Sequence, residues 1–235
     1  MEAIRRQQLA FLKTGAWAVL QERSWDDGAR RCLALWSERG LPLVIARQPN
    51  PLDSRSVALG LPMPLSFGRR RLALTVDVDD LDSLRQFPPL ADVCRWLESS
   101  AQRLLSGLEV ELRAHAGEPR VYGSYGWKTM TGLDFVRPDS DLDLLLPVTG
   151  AAAADEVCRA LQSAPRGPLR LDGELVFPSG GAVAWREWLS WRGRPDGIGI
   201  LVKHTHGVSI ERSSEWLATA AGDGAPDTVF GVGSE

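Results

Sequence analysis

The run Asp139-Ser140-Asp141-Leu142-Asp143-Leu144-Leu145-Leu146 places two carboxylates, Asp141 and Asp143, one residue apart in an otherwise apolar stretch. In a strand, residues i and i+2 share a face. Asp141 and Asp143 are then expected to project together, while Leu142, Leu144 and Leu146 turn into a core. Paired carboxylates at the edge of a hydrophobic sheet are costly unless a cation lies between them. Magnesium suits an all-oxygen pair, taking one or two carboxylates and completing its shell with substrate phosphates. Upstream, Val121-Tyr122-Gly123-Ser124 supplies the complement. Glycine lets a backbone approach a ligand closely, and a turn entering a helix presents free N–H groups to an anion. The Ser124 hydroxyl adds a hydrogen bond. A Gly-Ser pair alone reads as an ordinary turn, and aspartates at a strand edge are often merely solvated. Both together, in this order and within one supersecondary unit, describe a metal-phosphate site for phosphoryl or nucleotidyl transfer.

Arg69-Arg70-Arg71 is the dense cationic cluster of the chain. Guanidinium forks match phosphate oxygens, and alternate residues share a strand face, so Arg69 and Arg71 are the expected pair for a triphosphate. The plainer reading is a solvated loop end. Lys203 is a second candidate phosphate contact, or else a lysine with a buried stem and an exposed head. His204 and His206 would share a face on a strand and could bind a transition metal, but no third ligand is visible. Trp127, close to the Gly-Ser turn, could pack on a base or ribose. Trp36 and Trp96 read as core, and Trp185, Trp188 and Trp191, three apart, as one helical face.

The chain has 235 residues, enough for two domains or one domain with a large cap, and its net charge of −3 provides no global field for nucleic acid. No apolar run approaches the roughly 18 residues of a membrane helix. Residues 1–13 carry Glu2, Arg5 and Arg6 without a secretory apolar core. Cys32, Cys94 and Cys158 are odd in number and lack zinc spacing, which suits reduced structural thiols and a cytoplasmic enzyme.

Period and punctuation indicate the elements that must hold these groups. Ser24-Trp25-Asp26-Asp27 is expected to cap a helix running to Glu38 and stopping at Gly40. Residues 41–46 read as a short buried strand, 48–68 as an ordered proline-containing loop and 71–78 as a strand, with 79–82 capping the next element. Phe87-Pro88-Pro89 is the expected boundary between an amino-terminal domain, residues 1–86, and a catalytic domain, residues 87–235. Residues 91–108 are expected to form one amphipathic helix on the catalytic sheet, with Val93, Trp96, Leu97, Ala101, Leu104 and Leu105 at helical spacing. There follow a strand ending at Tyr122, a helix after Ser124, the carboxylate strand and a helix over 151–161. Segments 169–171, 174–177 and 182–185 read as strands joined by Asp-Gly and Pro-Ser-Gly-Gly turns. Residues 200–204 form a further strand candidate, and 222–235 a loose tail. The sum is an α+β catalytic domain preceded by a smaller α/β domain.

A Gly-Ser pair, a short helix and Asp-x-Asp on the next strand resemble the nucleotidyltransferase superfamily of DNA polymerase beta and the aminoglycoside nucleotidyltransferases. The interval from Tyr125 to Ser140 is longer than that general pattern. The whole segment, Tyr-Gly-Ser-Tyr-Gly-Trp-Lys-Thr-Met-Thr-Gly-Leu-Asp-Phe-Val-Arg-Pro-Asp-Ser-Asp-Leu-Asp-Leu-Leu-Leu, is similar to one narrower family, the phosphoribosyl-dephospho-CoA transferases of malonate decarboxylase, MdcG. Leu41-Pro42-Leu43-Val44-Ile45-Ala46-Arg47-Gln48-Pro49 and Gly68-Arg69-Arg70-Arg71-Leu72-Ala73-Leu74 resemble that family's amino-terminal segment. Leu171-Asp172-Gly173-Glu174-Leu175 and Gly181-Ala182-Val183-Ala184-Trp185-Arg186-Glu187 resemble its later part, so the likeness runs over about residues 40 to 205.

The resemblance implies a polymerase-beta-like fold with a mixed sheet, flanking helices and a third carboxylate from a neighbouring strand. Asp172 is the first choice, against its plain reading as the start of an Asp-Gly turn; Glu174 and Glu187 are the other candidates. Asp141, Asp143 and Asp172 would hold two magnesium ions about 4 Å apart, and Gly123 and Ser124 the β and γ phosphates. The implied donor is 2'-(5''-triphosphoribosyl)-3'-dephospho-CoA. The implied acceptor is a serine of the apo acyl carrier subunit of malonate decarboxylase, and pyrophosphate leaves. A basic face for that carrier could come from residues 69–71 or from Arg192 and Arg194. Two other readings stand beside this one. An enzyme of the same fold could use ATP and another acceptor, such as an antibiotic, an RNA end or a protein hydroxyl. A non-catalytic carrier-binding module would have no need of paired carboxylates.

Overall fold

In a computed structural model, which describes residues 4–48, 55–165, 169–194 and 198–217, the apolar residues sort into two clusters around two sheets. The amino-terminal part runs β1 (Leu9–Leu12), α1 (Thr14–Glu22), α2 (Asp27–Glu38), β2 (Leu43–Ile45), β3 (Ser56–Pro62), β4 (Arg71–Asp77) and β5 (Leu81–Arg85). Its strands pair in the order β4-β3-β2-β1-β5, antiparallel throughout. Alternation sets the register: Val57, Leu59 and Leu61 of β3 lie opposite Val76, Leu74 and Leu72 of β4, all buried. Over this face packs α2, whose Ala29, Cys32, Leu33 and Trp36 repeat at helical spacing. Asp26 caps it, accepting the Ala29 N–H at 3.0 Å.

The second part runs α3 (Leu90–Val93), α4 (Ser99–His115), β6 (Arg120–Tyr122), α5 (Gly123–Thr131), β7 (Leu142–Pro147), α6 (Ala151–Ser163), β8 (Leu171–Val176), β9 (Ala182–Ala184), α7 (Trp185–Arg192), β10 (Ile200–Lys203) and β11 (Val208–Glu211). The strands order as β11-β10-β9-β8-β7-β6, and only the β7–β8 pair, joined through α6, is parallel. The period-two alternation of β7 decides what lies on either side. Leu142, Leu144 and Leu146 are fully buried in one cluster with Leu105 and Leu112 of α4 and Val157 and Cys158 of α6. Leu145, on the opposite face, joins the amino-terminal cluster together with Phe87, Trp127 and Phe135. Asp143 shares the face of Leu145, so it looks toward the amino-terminal sheet, and the site forms where the two parts meet.

The mixed α+β character and most of the expected elements are present, with several corrections. The amino-terminal sheet is antiparallel with its helices segregated, so that part is α+β rather than α/β. The stretch expected as a loop over 48–68 contains β3; residues 49–54 of it lie outside the described residues. Residues 79–82, expected to cap the next element, fall in a short 3-10 turn, Val78–Asp80, and the start of β5. The single helix expected over 91–108 is broken, because Leu97 and Glu98 are extended between the 3-10 turn Cys94–Trp96 and α4. Trp96 is consequently 41% exposed rather than core, flanked by Arg95 and Lys128 over its ring. Asp172-Gly173 is no turn but mid-strand in β8. β1, α1 and β11 have no counterpart in the sequence reading, and the tail expected over 222–235 lies outside the described residues.

Candidate active site

At the end of β6 the chain turns into α5 at Gly123, whose φ of +60° suits glycine. A Cβ there would run into the Asp143 carboxylate. Glycine is therefore required twice over, for its backbone angle and for the closeness of Asp143. Tyr122 sits at the N-cap position of α5 and offers no side-chain cap, so the N–H groups of the first turn, Ser124 among them, are available to an anion.

The carboxylates come from two adjacent strands. Parallel register sets Asp143 of β7 beside Asp172 of β8, and antiparallel register sets Asp143 beside Tyr122. Gly173 allows this closeness, since a Cβ there would strike the Leu144 backbone. Asp172 accepts its neighbour's Gly173 N–H at 2.9 Å. Burial, then the charges of Asp172, Asp141 and Glu174, push the Asp143 carboxyl up to about 6, with Arg71 pulling the other way. Burial, then the charges of Glu174, Asp143 and Asp172, push the Tyr122 hydroxyl well above its ordinary range. Glu174, two residues along β8 and 4% exposed, has Lys203 donating to Oε1 at 2.6 Å, while its Oε2 has no partner among the described residues. Concentrated negative charge with an orphaned buried oxygen is an arrangement that asks for a cation.

Asp141 stands apart from this set. Just ahead of β7, its carboxylate is held by the fork of Arg170, which keeps it below the usual carboxylate range. No group of three His, Cys, Asp or Glu among the described residues is arranged to hold a metal ion.

Beside Asp143 is a cleft of about 530 Å³. Gly123, Ser124, Asp141 and Asp143 line it together with Arg69, Arg70 and Arg71, while Asp172 is not among its lining residues. Arg69 and Arg71 both reach it, though not as alternate strand residues: Arg69, at φ +48°, belongs to the turn before β4. Arg70 is committed to Asp26. Trp127 lines the cleft too, yet its ring is buried against Phe87 and Phe135, leaving little of it to stack on a ligand.

Three expected groups fall elsewhere. Lys203 does not line the cleft, because its ammonium is spent on Glu174. Glu187 is exposed on α7 and does not line the cleft. His204 lies beyond the end of β10 and pairs with Ser209 Oγ at 2.8 Å, so the His-x-His pair forms no strand face. Arg192, one of the possible carrier contacts, forks onto Asp155. Two arginines were missed. Arg137 lines the cleft, with one amine on Asp139 at 2.8 Å and a buried Nε lacking a partner among the described residues. Arg170 was legible only as two residues before Asp172 in a strand.

The fold is mixed α+β, and comparison with known proteins makes the chain a transferase. Models of the phosphoribosyl-dephospho-CoA transferase MdcG match in two consecutive pieces, the N-terminal domain over residues 5–87 and the C-terminal domain over residues 89–214. A phosphoribosyl-dephospho-CoA transferase of Xanthomonas euvesicatoria is 38% identical over 184 residues, which is 78% of this chain and 84% of that protein. One of Bradyrhizobium diazoefficiens is 35% identical, covering 77% and 80% of the two chains. One of Pseudomonas aeruginosa is 34% identical, covering 69% and 75%. The chain belongs to the MdcG family. The likeness extends beyond residues 40–205, toward both ends. No solved structure matches it. Among the described residues no helix is long and apolar enough to cross a membrane.

Proposed function

We propose that the protein transfers the phosphoribosyl-dephospho-CoA group from 2'-(5''-triphosphoribosyl)-3'-dephospho-CoA to a serine of the apo acyl carrier subunit of malonate decarboxylase, releasing pyrophosphate. Family membership supports the transferred group. The observation that carries the chemistry is Asp143, paired in register with Asp172 and close against Gly123, in a cleft that Arg69 and Arg71 also line. On this reading residues 87–235 are a nucleotidyltransferase-like catalytic domain, and residues 1–86 close the cleft with cationic side chains. The three cysteines are free, two of them buried, which suits a reducing cytoplasm.

The donor set fits magnesium: all-oxygen ligands, excess negative charge and an Asp143 carboxyl raised by burial and by its neighbouring carboxylates. Asp141, Asp143 and Asp172 would hold magnesium, as two ions, which when bound would supply positive charge to the attacking and leaving oxygens. The chain's own groups do the rest. Ser124 and the free N–H groups of α5 hold the β and γ phosphates, and Arg69 and Arg71 neutralise them. That fixes the α phosphorus over Asp143 in line for attack. The new bond joins the serine oxygen to the α phosphorus, and the bond to the β-phosphate oxygen breaks. The hydroxyl proton passes to the Asp172 carboxylate, and the carrier keeps a phosphodiester. Glu174, neutralised by Lys203, buttresses the pair from behind.

Pyrophosphate release tests the reading. It should require both the triphosphoribosyl donor and the apo carrier. Release from ATP with a different acceptor, and none with this pair, would move the protein to another nucleotidyl transfer.

A further inference from the structure

One guanidinium takes both oxygens of Asp141: Arg170 Nε donates to Oδ1 at 2.7 Å, and Nη2 donates to Oδ2. The fork comes from the neighbouring strand. Arg170 immediately precedes β8, and its carbonyl accepts the Leu142 N–H at 2.9 Å, which fixes its height beside Asp141. It also stands two residues before Asp172, and alternate residues of an extended chain share a face. Arg170 therefore looks toward the same carboxylates that Asp172 does. No other acceptor among the described residues holds it, and its side chain is 70% exposed. This guanidinium is tied down by Asp141 alone, whereas Arg70 and Arg192 are anchored to carboxylates outside the site.

The charge pattern gives the pair a purpose. Asp141, Asp143, Asp172 and Glu174 repel one another when nothing positive lies among them. Lys203 answers Glu174, and Arg170 answers Asp141. Asp143 and Asp172 are left without a cationic hydrogen-bond partner among the described residues, and a divalent ion belongs there. For Asp141 to join them around such an ion, its oxygens must first be given up by Arg170.

We propose that Arg170 is a built-in stand-in for the divalent cation, occupying Asp141 until the metal arrives and then yielding it. The proposal rests on the metal-site reading above. It makes Arg170 a positioning residue: it keeps Asp141 oriented and its charge compensated in the empty protein, at the cost of weaker metal binding. Because the fork is exposed, it exchanges readily with water and with an incoming ion.

The test is Mn2+ binding to the full chain without donor, followed by the electron paramagnetic resonance signal of free Mn2+. Arg170→Gln should bind Mn2+ about three- to tenfold more tightly than the unmodified protein, from the lost competition for Asp141. Arg170→Lys should fall between, since an ammonium cannot fork. Arg159→Gln, which removes an exposed arginine paired with Glu156 on α6, should change nothing. In an Asp141→Asn background, Arg170→Gln should lose its effect. A gain that persists there would reduce Arg170 to a diffuse charge and overturn the proposal. Equal or weaker binding by Arg170→Gln would overturn it while leaving the metal site standing. Absence of Mn2+ binding by every variant would overturn the metal-site reading together with it.

Discussion

Asp143→Asn should stabilise the metal-free protein at neutral pH. Burial and three neighbouring carboxylates raise the Asp143 carboxyl from 3.8 to about 6. Because the folded-state value is raised, the stability contributed by the protonated form is complete below about pH 4 and is lost as pH climbs through about 6. The shift, roughly 2 units at about 1.4 kcal/mol each, sets a ceiling of about 3 kcal/mol. Solvent still reaches the half-buried carboxylate, so a discounted figure of about 1–2 kcal/mol is expected. An asparagine keeps the shape and stays neutral. In chelator-treated protein at pH 8 it should raise Tm by about 2–8 °C, at roughly 2–4 °C per kcal/mol for a chain of this size. At pH 4 the difference should vanish. Thermal melts of both proteins across pH 4–8 measure it. An asparagine variant no more stable at pH 8, or a gap independent of pH, would refute the electrostatic account of this carboxylate.

Gly123→Ala should strain the backbone and displace Asp143, destabilising the protein by about 1–3 kcal/mol and cutting transfer at least about a hundredfold; melts and turnover read both. Asp172→Ala should reduce turnover by a similar or larger factor with an unchanged circular dichroism spectrum, and an active variant would remove Asp172 from the site. Lys203→Met should cost about 3–5 kcal/mol by leaving Glu174 buried and unpaired. Adding Glu174→Gln should recover most of that, and strict additivity in denaturant melts would show that the pair is not coupled. Leu144→Ala, at a fully buried position of β7, should cost about 2–5 kcal/mol, visible as a lower denaturation midpoint.

What the sequence disclosed followed the range of the interactions involved. Gly123, Ser124, Asp141 and Asp143 stand out because a tight turn and a period-two carboxylate pair are local patterns. Asp172 is placed by parallel pairing through α6, which no spacing encodes, so family resemblance pointed to it first. The alternative Asp-Gly turn fails because Gly173 serves a close approach to the Leu144 backbone rather than a reversal. β3 was hidden because Gly60 and Pro62 sit in a strand otherwise flanked by turn residues. The break before α4 lacks glycine or proline, and the leucines on either side continue a helical period across it. Arg170 and Arg137 were invisible for another reason: an arginine among twenty-seven cationic residues acquires meaning only from the carboxylates beside it.

The account's central claim is a group transfer dependent on Asp143, and mass spectrometry of the intact apo carrier tests it most directly. The carrier would be incubated with this protein, magnesium and the triphosphoribosyl-dephospho-CoA donor, beside an Asp143→Ala control. A mass gain equal to the phosphoribosyl-dephospho-CoA group on one serine, absent with the control, is the expected result. An unmodified carrier with verified donor and folded protein, or equal modification by Asp143→Ala, would contradict it.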